Sequence, residues 1–347
     1  MKEFILRNFV RKNILDLKPY SCARDEFKGS EGIFLDANEN PFGVLNRYPD
    51  PRQTELKQQL ALLTGRNVSE IFVGNGSDEV IDLAIRIFCN PGKDRIMVFP
   101  PTYGMYKICA EINEIETVEI PLNRDMQLNM PEINTFLNDE HVKIIFICSP
   151  NNPTGNLIRH EDIETILNSF ACPVFIDEAY IDFAGSESFV NMIDKYPNLI
   201  VSQTFSKSRA LASARVGIAY SQPEIIACYN KIKPPYNVSS LNQEAAIEAL
   251  NSSREFTERK NTILAEKKKM RTELSKMPCV KHIYKSDANF FLVEFDNANK
   301  TYSKLIDQKI ITRNRSSVID NCIRITVGTP EENETLLNAL KIMKNEK

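Results

Sequence analysis

The feature that most limits the possible folds of this chain is a regular alternation of strand-like and helix-like segments. Between residues 53 and 335, short apolar runs such as residues 142–148 are separated by stretches with helical spacing such as residues 161–170. This alternation is typical of βαβ units, which place successive strands in a mostly parallel sheet. Further apolar runs lie at residues 71–73, 95–99, 174–176, 200–202 and 216–219, and further helical stretches at 54–63 and 79–88.

The sequence changes character after residue 250. A long, highly charged helical stretch, residues 254–276, is followed by two alternating strand patterns at 289–295 and 322–327 and then by a charged helix. We therefore predict an α/β fold with a large domain at residues 36–253 and a smaller α+β domain at residues 254–347. Residues 1–35 are predicted to form an N-terminal arm that joins the small domain.

Composition argues against several classes of protein. The formal net charge is -3, which does not suit a nucleic-acid binder. No apolar run approaches the roughly 18 residues of a membrane span, and Arg7, Arg11 and Lys12 interrupt the N-terminal apolar stretch, so no signal peptide is expected. The eight cysteines are scattered without a CxxC pair, which favours reduced thiols in the cytoplasm. Because the three histidines lie outside any motif, we expect neither a histidine-ligated metal nor a Ser-His-Asp triad.

Two polar motifs come directly after predicted strands. The first is Gly-Asn-Gly-Ser-Asp-Glu at residues 74–79, where backbone N–H groups at a helix N-terminus form a ready anion site. The alternative is ordinary capping by Ser77 or Asp78. The second is Ser-Pro-Asn-Asn-Pro-Thr-Gly at residues 149–155, which is either a plain turn or a site where a buried amide meets a partner.

Two further motifs place charge at strand ends. Asp177 begins Asp-Glu-Ala-Tyr, and a carboxylate at the end of a buried strand needs a positive partner. That partner is either a lysine or arginine, or a protonated ring nitrogen of a cofactor that Tyr180 could also contact. Lys207 lies between small hydroxyl residues in Thr-Phe-Ser-Lys-Ser, with Arg215 eight residues on. This pattern suits a lysine that holds a phosphorylated cofactor as a Schiff base, although most lysines are simply solvated.

In order and spacing, these four motifs resemble the fold-type I pyridoxal-phosphate enzymes of the aspartate aminotransferase superfamily. A closer resemblance is to the histidinol-phosphate aminotransferase family, and it covers residues 20–332. It rests on Leu-Asp-Ala-Asn-Glu-Asn-Pro-Phe-Gly at 35–43, Arg-Tyr-Pro-Asp at 47–50, Pro-Thr-Tyr-Gly-Met-Tyr at 101–106, Pro-Tyr-Asn-Val-Ser at 235–239, Ala-Asn-Phe-Phe at 288–291 and Ile-Arg-Ile-Thr-Val-Gly-Thr at 323–329.

This resemblance implies a transaminase that uses pyridoxal 5'-phosphate, with Lys207 as the lysine joined to the cofactor and as the proton carrier. Asp177 would pair with the ring nitrogen, Tyr180 and Asn152 would bind the phenolic oxygen, and Tyr103 would stack on the ring. The cofactor phosphate would be held by the backbone of Gly76, Ser77 and Asp78, by Thr204, Ser206 and Arg215, and by Tyr48 of the second subunit of a homodimer.

The resemblance also implies the substrates: L-histidinol phosphate, which carries a phosphate, and the pair glutamate and 2-oxoglutarate, which carry carboxylates. Arginine binds both kinds of anion with two parallel hydrogen bonds. Arg313 and Arg324 match the family positions that face the substrate, and Tyr20 and Asn38 would help close the site. Arg315 is a further candidate to which the family gives no clear role.

The chain departs from the family pattern at two places. It has Leu-Ala-Ser-Ala at residues 211–214, where a glycine is usual, and Gly-Ile at 217–218, where an aromatic often follows the glycine. Both lie near the expected phosphate loop, so altered packing with retained chemistry is expected.

Other functions remain open on the same fold. Threonine-phosphate decarboxylase shares the lysine site, and aromatic amino-acid aminotransferases are also similar. A non-catalytic regulator would carry a DNA-binding domain ahead of the fold, and the roughly 35 residues before the Asp-Ala-Asn motif are too few for one.

Overall fold

A computed structural model describes residues 2–26 and 32–342 of the chain. Its helices are α1 Lys12–Leu15, α2 Ala23–Glu26, α3 Thr54–Thr64, α4 Ser77–Phe88, α5 Met105–Ile112, α6 Met130–Ile133, α7 His160–Ser169, α8 Pro223–Ile232, α9 Ser240–Asn251, α10 Ser253–Leu274, α11 Ala298–Asp307 and α12 Pro330–Ile342. Its strands are β1 Ile71–Asn75, β2 Arg95–Val98, β3 Glu116–Glu119, β4 Val142–Cys148, β5 Val174–Asp177, β6 Leu199–Thr204, β7 Val216–Ser221, β8 Val280–Ile283, β9 Phe290–Phe295, β10 Arg313–Asn314 and β11 Cys322–Thr326.

The larger sheet has seven strands in the order β1-β7-β6-β5-β4-β2-β3. The pairs from β6 to β3 are all parallel, and β7 runs antiparallel to both of its neighbours. The predicted mostly parallel sheet is therefore confirmed. The carboxyl ends of β4, β5 and β6 lie side by side, and this is the edge of an open α/β sheet where ligands bind.

The central strands are buried on both faces, which is why they appear in the sequence as continuous apolar runs. Val174 and Ile176 of β5 belong to the hydrophobic cluster on one side of the sheet, and Phe175 belongs to the cluster on the other side. The second cluster includes residues of α4, α5 and α8, so these helices cover that face.

The smaller sheet is antiparallel, with the order β10-β11-β9-β8. One of its faces packs against α10, α11 and α12 around Met270, Leu305 and Leu336. The other face carries Phe290, which belongs to a small cluster with Tyr180 from the segment that follows β5. The smaller sheet thus turns one face towards the strand ends of the larger one.

The described part of the N-terminal arm packs on the large sheet. Val10 and Ile14 are buried in the same cluster as α4 and α8, and the Lys231 side chain donates hydrogen bonds to the carbonyls of Ile14 and Leu15. These contacts differ from the prediction that residues 1–35 join the small domain. The division of the chain into an arm and two domains, with boundaries at residues 36 and 254, stays a prediction.

In residues 2–26 and 32–342, none of the helices is long and apolar enough to cross a membrane. The same residues contain no group of three or more histidine, cysteine, aspartate or glutamate side chains arranged to hold a metal ion. All eight cysteines have free thiols.

Candidate active site

Asp177 ends β5 and is almost fully buried, with 3% of its surface exposed. Its Oδ2 accepts a hydrogen bond from the Tyr106 hydroxyl at 2.7 Å, and its Oδ1 accepts one from the backbone N–H of Ala179 at 3.0 Å. Burial raises the pKa of Asp177 in spite of these bonds and of the positive charge of Lys207. Among residues 2–26 and 32–342 no lysine or arginine forms an ion pair with this carboxylate, and a bound cation would stabilise it.

Tyr106 is a site residue to which the sequence assigned no role. It is fully buried on α5, and its ring stacks on Phe146 with centroids 5.0 Å apart. It lies in the first turn of α5, three residues after Tyr103, which comes just before the helix. The two rings meet edge to face at 5.6 Å, so this spacing was the available signal.

Lys207 follows β6 and reaches towards the end of β5. Its Nζ lies 5.8 Å from the centroid of the Tyr180 ring, and Tyr180 is itself buried. Desolvation lowers the pKa of Lys207, and the positive charge of Arg324 adds to this effect. A lowered pKa increases the fraction of neutral amine, which is the form that can act as a nucleophile or base.

An anion cradle is formed where β1 meets α4. Gly76 is the N-cap of α4, with a φ of 82° that only glycine adopts readily, and it offers no side chain to the helix N–H groups. A Cβ at this position would lie 2.5 Å from Nη2 of Arg215. The N-terminal N–H groups of α4 and this guanidinium therefore converge on one small space.

The capping alternative for this motif does not describe the structure. Ser77 and Asp78 lie inside the first turn of α4, after the N-cap. Asp78 instead accepts hydrogen bonds from Arg215 at 3.1 Å and from the Tyr103 hydroxyl at 3.0 Å. Its carboxylate thus orients two neighbouring side chains. Burial raises the pKa of Tyr103, and the negative charge of Asp78 raises it further.

The end of β6 adds hydroxyl groups beside the cradle. The Thr204 Oγ1 donates to the carbonyl of Val216 at 3.3 Å and accepts from the backbone N–H of Ser206 at 3.1 Å. Gly217 in β7 is in direct contact with the start of α4, because a Cβ there would lie 2.3 Å from Ser77 N. This packing fixes the N-terminus of α4 next to Thr204 and Ser206.

Asn152 connects the two sheets. Its Oδ1 accepts a hydrogen bond from Nη1 of Arg324 at 2.5 Å, and the Arg324 guanidinium lies 5.3 Å from the centroid of the Phe290 ring. Phe290 in turn meets Tyr180 edge to face at 5.1 Å. Arg324 is therefore held at the same strand ends as Asp177 and Lys207.

Tyr48 lies in a segment that Glu39 holds together. Glu39 accepts hydrogen bonds from the Tyr48 backbone N–H at 2.6 Å, from Arg24 at 2.6 Å and from Arg47 at 2.7 Å. The hydrogen bonds and charges of these arginines lower the pKa of Glu39 to about 2, although burial opposes this. The Tyr48 ring stacks on Tyr236 at 4.4 Å, and 49% of Tyr48 remains exposed.

Three of the predicted substrate residues are less closely tied to this site. Tyr20 is 74% exposed and lines a separate cavity of about 650 Å³ with Pro51 and Lys57. Asn38 is exposed, with a φ of 54°, and Arg313 is exposed and lies directly opposite Arg324 on the neighbouring strand. Within this single chain, Tyr20 does not line the space around Lys207, and its role in substrate binding stays a prediction.

The donor set fits a phosphorylated pyridine cofactor. A buried carboxylate with a raised pKa, a lysine with a lowered pKa and a glycine-lined anion cradle lie at adjoining strand ends. A protonated ring nitrogen would match Asp177, a phosphate would match the cradle, and an aldehyde would match the Lys207 amine.

Comparison with known proteins relates the whole chain to one group of enzymes. Residues 22–340 match the family Aminotransferase class I and II. The curated histidinol-phosphate aminotransferase of Cytophaga hutchinsonii is 50% identical over 345 residues, which cover 97% of this chain and 99% of that protein. The structure of the histidinol-phosphate aminotransferase from Clostridium acetobutylicum superposes with a TM-score of 0.80 at 27% identity, covering 90% of this chain and 98% of the other.

A second solved structure shares the fold at lower identity. The histidinol-phosphate aminotransferase from Sinorhizobium meliloti, in complex with pyridoxal-5'-phosphate, has a TM-score of 0.80 at 22% identity and covers 90% of each chain.

Proposed function

This chain belongs to the histidinol-phosphate aminotransferase family within the class I and II aminotransferases, and from this membership we propose that it transfers the amino group of L-histidinol phosphate to 2-oxoglutarate. The products are imidazole acetol phosphate and L-glutamate, and the reaction belongs to L-histidine biosynthesis. The observation that carries the proposal is that Arg324 of the smaller sheet reaches the neighbouring strand ends of the larger sheet, where Asp177 and Lys207 lie.

We propose pyridoxal 5'-phosphate as the cofactor, since the donor set described above suits each of its polar groups. When bound, it supplies an electron sink that stabilises negative charge at the substrate carbon bearing nitrogen. The backbone of Gly76, Ser77 and Asp78, the hydroxyls of Thr204 and Ser206, and Arg215 would hold its phosphate. Tyr103 would stack on the ring, and Tyr180 and Asn152 would donate hydrogen bonds to its phenolic oxygen.

Asp177 and Lys207 have distinct tasks in this proposal. Asp177 keeps a proton on the ring nitrogen, because a buried carboxylate strongly favours a cation beside it. Lys207 carries a proton at its Nζ to and from the substrate carbon. Its lowered pKa favours the neutral amine that this task needs.

Substrate anions would be bound by the small sheet. Arg324 is already oriented by Asn152 and Phe290, and Arg313 lies opposite it in the strand ladder. Arginine forms paired hydrogen bonds with carboxylate and with phosphate, so the same face can take histidinol phosphate and glutamate in turn. Tyr20 and Asn38 would close the site.

We also propose that the enzyme is a cytoplasmic homodimer in which Tyr48 binds the cofactor phosphate of the second subunit. The half-exposed Tyr48 side chain, on a backbone fixed by Glu39 and Arg24, supports this arrangement. Such two-fold assemblies are the commonest among soluble oligomers.

The test follows the cofactor and the products together. The purified protein should show the absorbance band of a lysine-bound cofactor, and histidinol phosphate should remove that band. Glutamate should then form only when 2-oxoglutarate is added, and Lys207→Ala should show neither change. Release of carbon dioxide from threonine phosphate, without transamination of histidinol phosphate, would contradict the proposal and favour a decarboxylase.

A further inference from the structure

Three arginines lie on one face of the smaller sheet. Arg313 on β10 stands directly opposite Arg324 on β11. Arg315 comes two residues after Arg313, and its backbone N–H still pairs across the ladder with the carbonyl of Cys322 at 2.8 Å. Arg315 lies one residue beyond β10, but its backbone N–H continues the ladder, so the same alternation places its side chain on the face of Arg313 and Arg324.

This face is the one that looks towards Lys207. Arg324 shares it with Phe290, which contacts Tyr180, and Arg324 reaches Asn152 in the segment that follows β4 of the large sheet. The intervening residues point the other way. Ile323 is buried in the cluster beneath α11 and α12, and the Asn314 side chain donates a hydrogen bond to Asn299 on α11.

Arg315 has no anionic partner within the described residues, 2–26 and 32–342. None of them accepts a hydrogen bond from its guanidinium, and its buried Nε has no partner there. Desolvation lowers the pKa of Arg315, and the positive charges of Arg313 and Arg324 lower it further. Glu294 on β9 has its carboxylate on the same face. It lies opposite Cys322, on the side of β11 away from β10, so β11 separates it from Arg315.

Like charges opposite one another destabilise a sheet, so the repulsion among these three arginines lowers the stability of the folded protein. Local costs of this kind in folded proteins concentrate at functional sites. A bound anion would offset the repulsion, and the anion must bring enough charge for more than one guanidinium. A phosphate group carries close to two negative charges at neutral pH and three acceptor oxygens, whereas a carboxylate carries one charge and two oxygens.

We propose that Arg315 binds the phosphate of the amino donor and makes the enzyme prefer a phosphorylated substrate over a carboxylate. This rests on the proposed function, because it assigns a role within the histidinol phosphate half of the reaction. Arg324 serves both halves, while Arg315, together with Arg313, adds the charge that only the phosphate needs.

The test separates the two half-reactions in the holoenzyme. In Arg315→Gln, kcat/KM for the histidinol phosphate half-reaction should fall roughly ten- to a hundredfold, which is the effect of losing a hydrogen bond to a charged group. The glutamate half-reaction should stay near that of the wild type. Arg315→Lys, which keeps the charge but not the planar fork, should lie between the two. Arg259→Gln on the exposed surface of α10 is the matched control and should change neither half.

A binding measurement gives a second readout that does not depend on turnover. In a Lys207→Ala background, calorimetry should show weaker binding of histidinol phosphate when Arg315→Gln is added, with glutamate binding unchanged. Equal losses for both substrates would mean that Arg315 supports the sheet, and no loss would mean that it is not used. Either result overturns the proposal for Arg315. A wild-type enzyme that does not convert histidinol phosphate would instead overturn the proposed function.

Discussion

Asp177 and Glu178 are neighbours in sequence and both are buried, yet the structure gives them different surroundings. Asp177 points to the strand-end cleft and accepts bonds from Tyr106 and Ala179. Glu178 points away and accepts bonds from Ser188, from the backbone N–H of Phe189 and from Gln203. Alternation along an extended chain separates the two carboxylates, so one is available for a ligand while the other ties down a loop.

Asp177→Asn should bind the cofactor and lose most of the activity, by roughly a hundred- to a thousandfold in kcat, because a neutral amide cannot stabilise a protonated ring nitrogen. Steady-state kinetics and the cofactor spectrum check this. Tyr106→Phe is the companion variant, since it removes one hydrogen bond but keeps the carboxylate and the ring stacking on Phe146. It should lose much less activity. A normal rate in Asp177→Asn would show that another acid pairs with the ring.

The raised pKa of Glu178 leads us to predict that the stability of the protein depends on pH. Burial raises the pKa of Glu178 from 4.5 to about 7, and its three hydrogen bonds only partly oppose this. The folded protein therefore binds this proton more tightly than the unfolded chain does. Its contribution to stability is complete below pH 4.5 and falls as the pH rises through about 7, by on the order of 3 kcal/mol.

Glu178→Gln removes this titration. We compare the free energies of unfolding in urea of the variant and the wild type. The variant should gain about 2 kcal/mol over the wild type between pH 5 and pH 8. Glu187→Gln, an exposed change on the same loop, should keep the wild-type pH profile. Parallel profiles for the wild type and Glu178→Gln would contradict the assignment.

Single residues were predictable from sequence where they lay in a motif at a strand end. Asp177, Lys207 and Arg215 were singled out in that way, and their roles stay predictions. Tyr106 was not assigned because a tyrosine in an apolar helix face looks like core, and only the position of β5 beside α5 brings its hydroxyl to Asp177. The sequence likewise did not show which residue caps α4. The structure places Gly76, with a φ of 82°, at the N-cap, so Asp78 lies in the first turn and does not cap the helix.

At the scale of elements, the strands buried on both faces were predictable and the edge strands were not. β4 coincides with its predicted span because seven apolar or half-buried residues follow one another. β3 has the sequence Glu-Thr-Val-Glu, in which Val118 alone is buried, so no apolar run marks it. The antiparallel direction of β7 is set by its short connection to β6 and by its pairing with β1, which local sequence does not encode.

Gly217 supports a prediction about the contact between β7 and α4. Gly217→Ala would place a methyl group 2.3 Å from Ser77 N and from the Gly76 carbonyl carbon, both of them backbone atoms. The start of α4 must then move, so the affinity for a phosphate at the cradle should fall. Titration of the apoprotein with pyridoxal phosphate, followed by absorbance, measures this. We expect the dissociation constant to rise roughly five- to a hundredfold, since over-packing costs roughly 1–3 kcal/mol.

Gly185→Ala is the matched control for this variant. Nothing lies within 4 Å of a Cβ at Gly185, which is in an exposed loop, so the same substitution there should leave cofactor affinity unchanged. Equal affinity in Gly217→Ala and the wild type would show that α4 can shift without disturbing the cradle.

For the whole molecule, the division into a large parallel sheet and a smaller antiparallel sheet follows from the change in sequence pattern near residue 250. The contact between the two sheets does not follow from this pattern. It depends on pairs such as Asp287 with the backbone N–H of Leu157 at 2.9 Å, which are 130 residues apart. The course of the N-terminal arm was also not predictable, because α1 is short and could pack on either sheet.

The segment around Tyr48 leads to a prediction about the assembly. Both backbone polar groups of Tyr48 are bound, the N–H by Glu39 and the carbonyl by Arg24 at 2.7 Å, while its side chain stays half exposed and stacks on Tyr236. A fixed backbone with an available hydroxyl suits a residue that serves another subunit. We therefore expect an obligate two-fold dimer with two shared sites.

Mixing two inactive variants, Tyr48→Ala and Lys207→Ala, tests this expectation. If Tyr48 serves its own subunit, a mixed dimer holds one damaged site of each kind, and no activity returns. If the sites are shared, subunit exchange gives dimers in which one site carries both changes and the other carries neither. Because random exchange makes half of all dimers mixed, about a quarter of the wild-type activity should then return. Mass spectrometry of the intact dimers confirms the exchange, and mixed dimers without activity would place Tyr48 at the site of its own chain. Full activity of Tyr48→Ala alone would remove the residue from the site altogether.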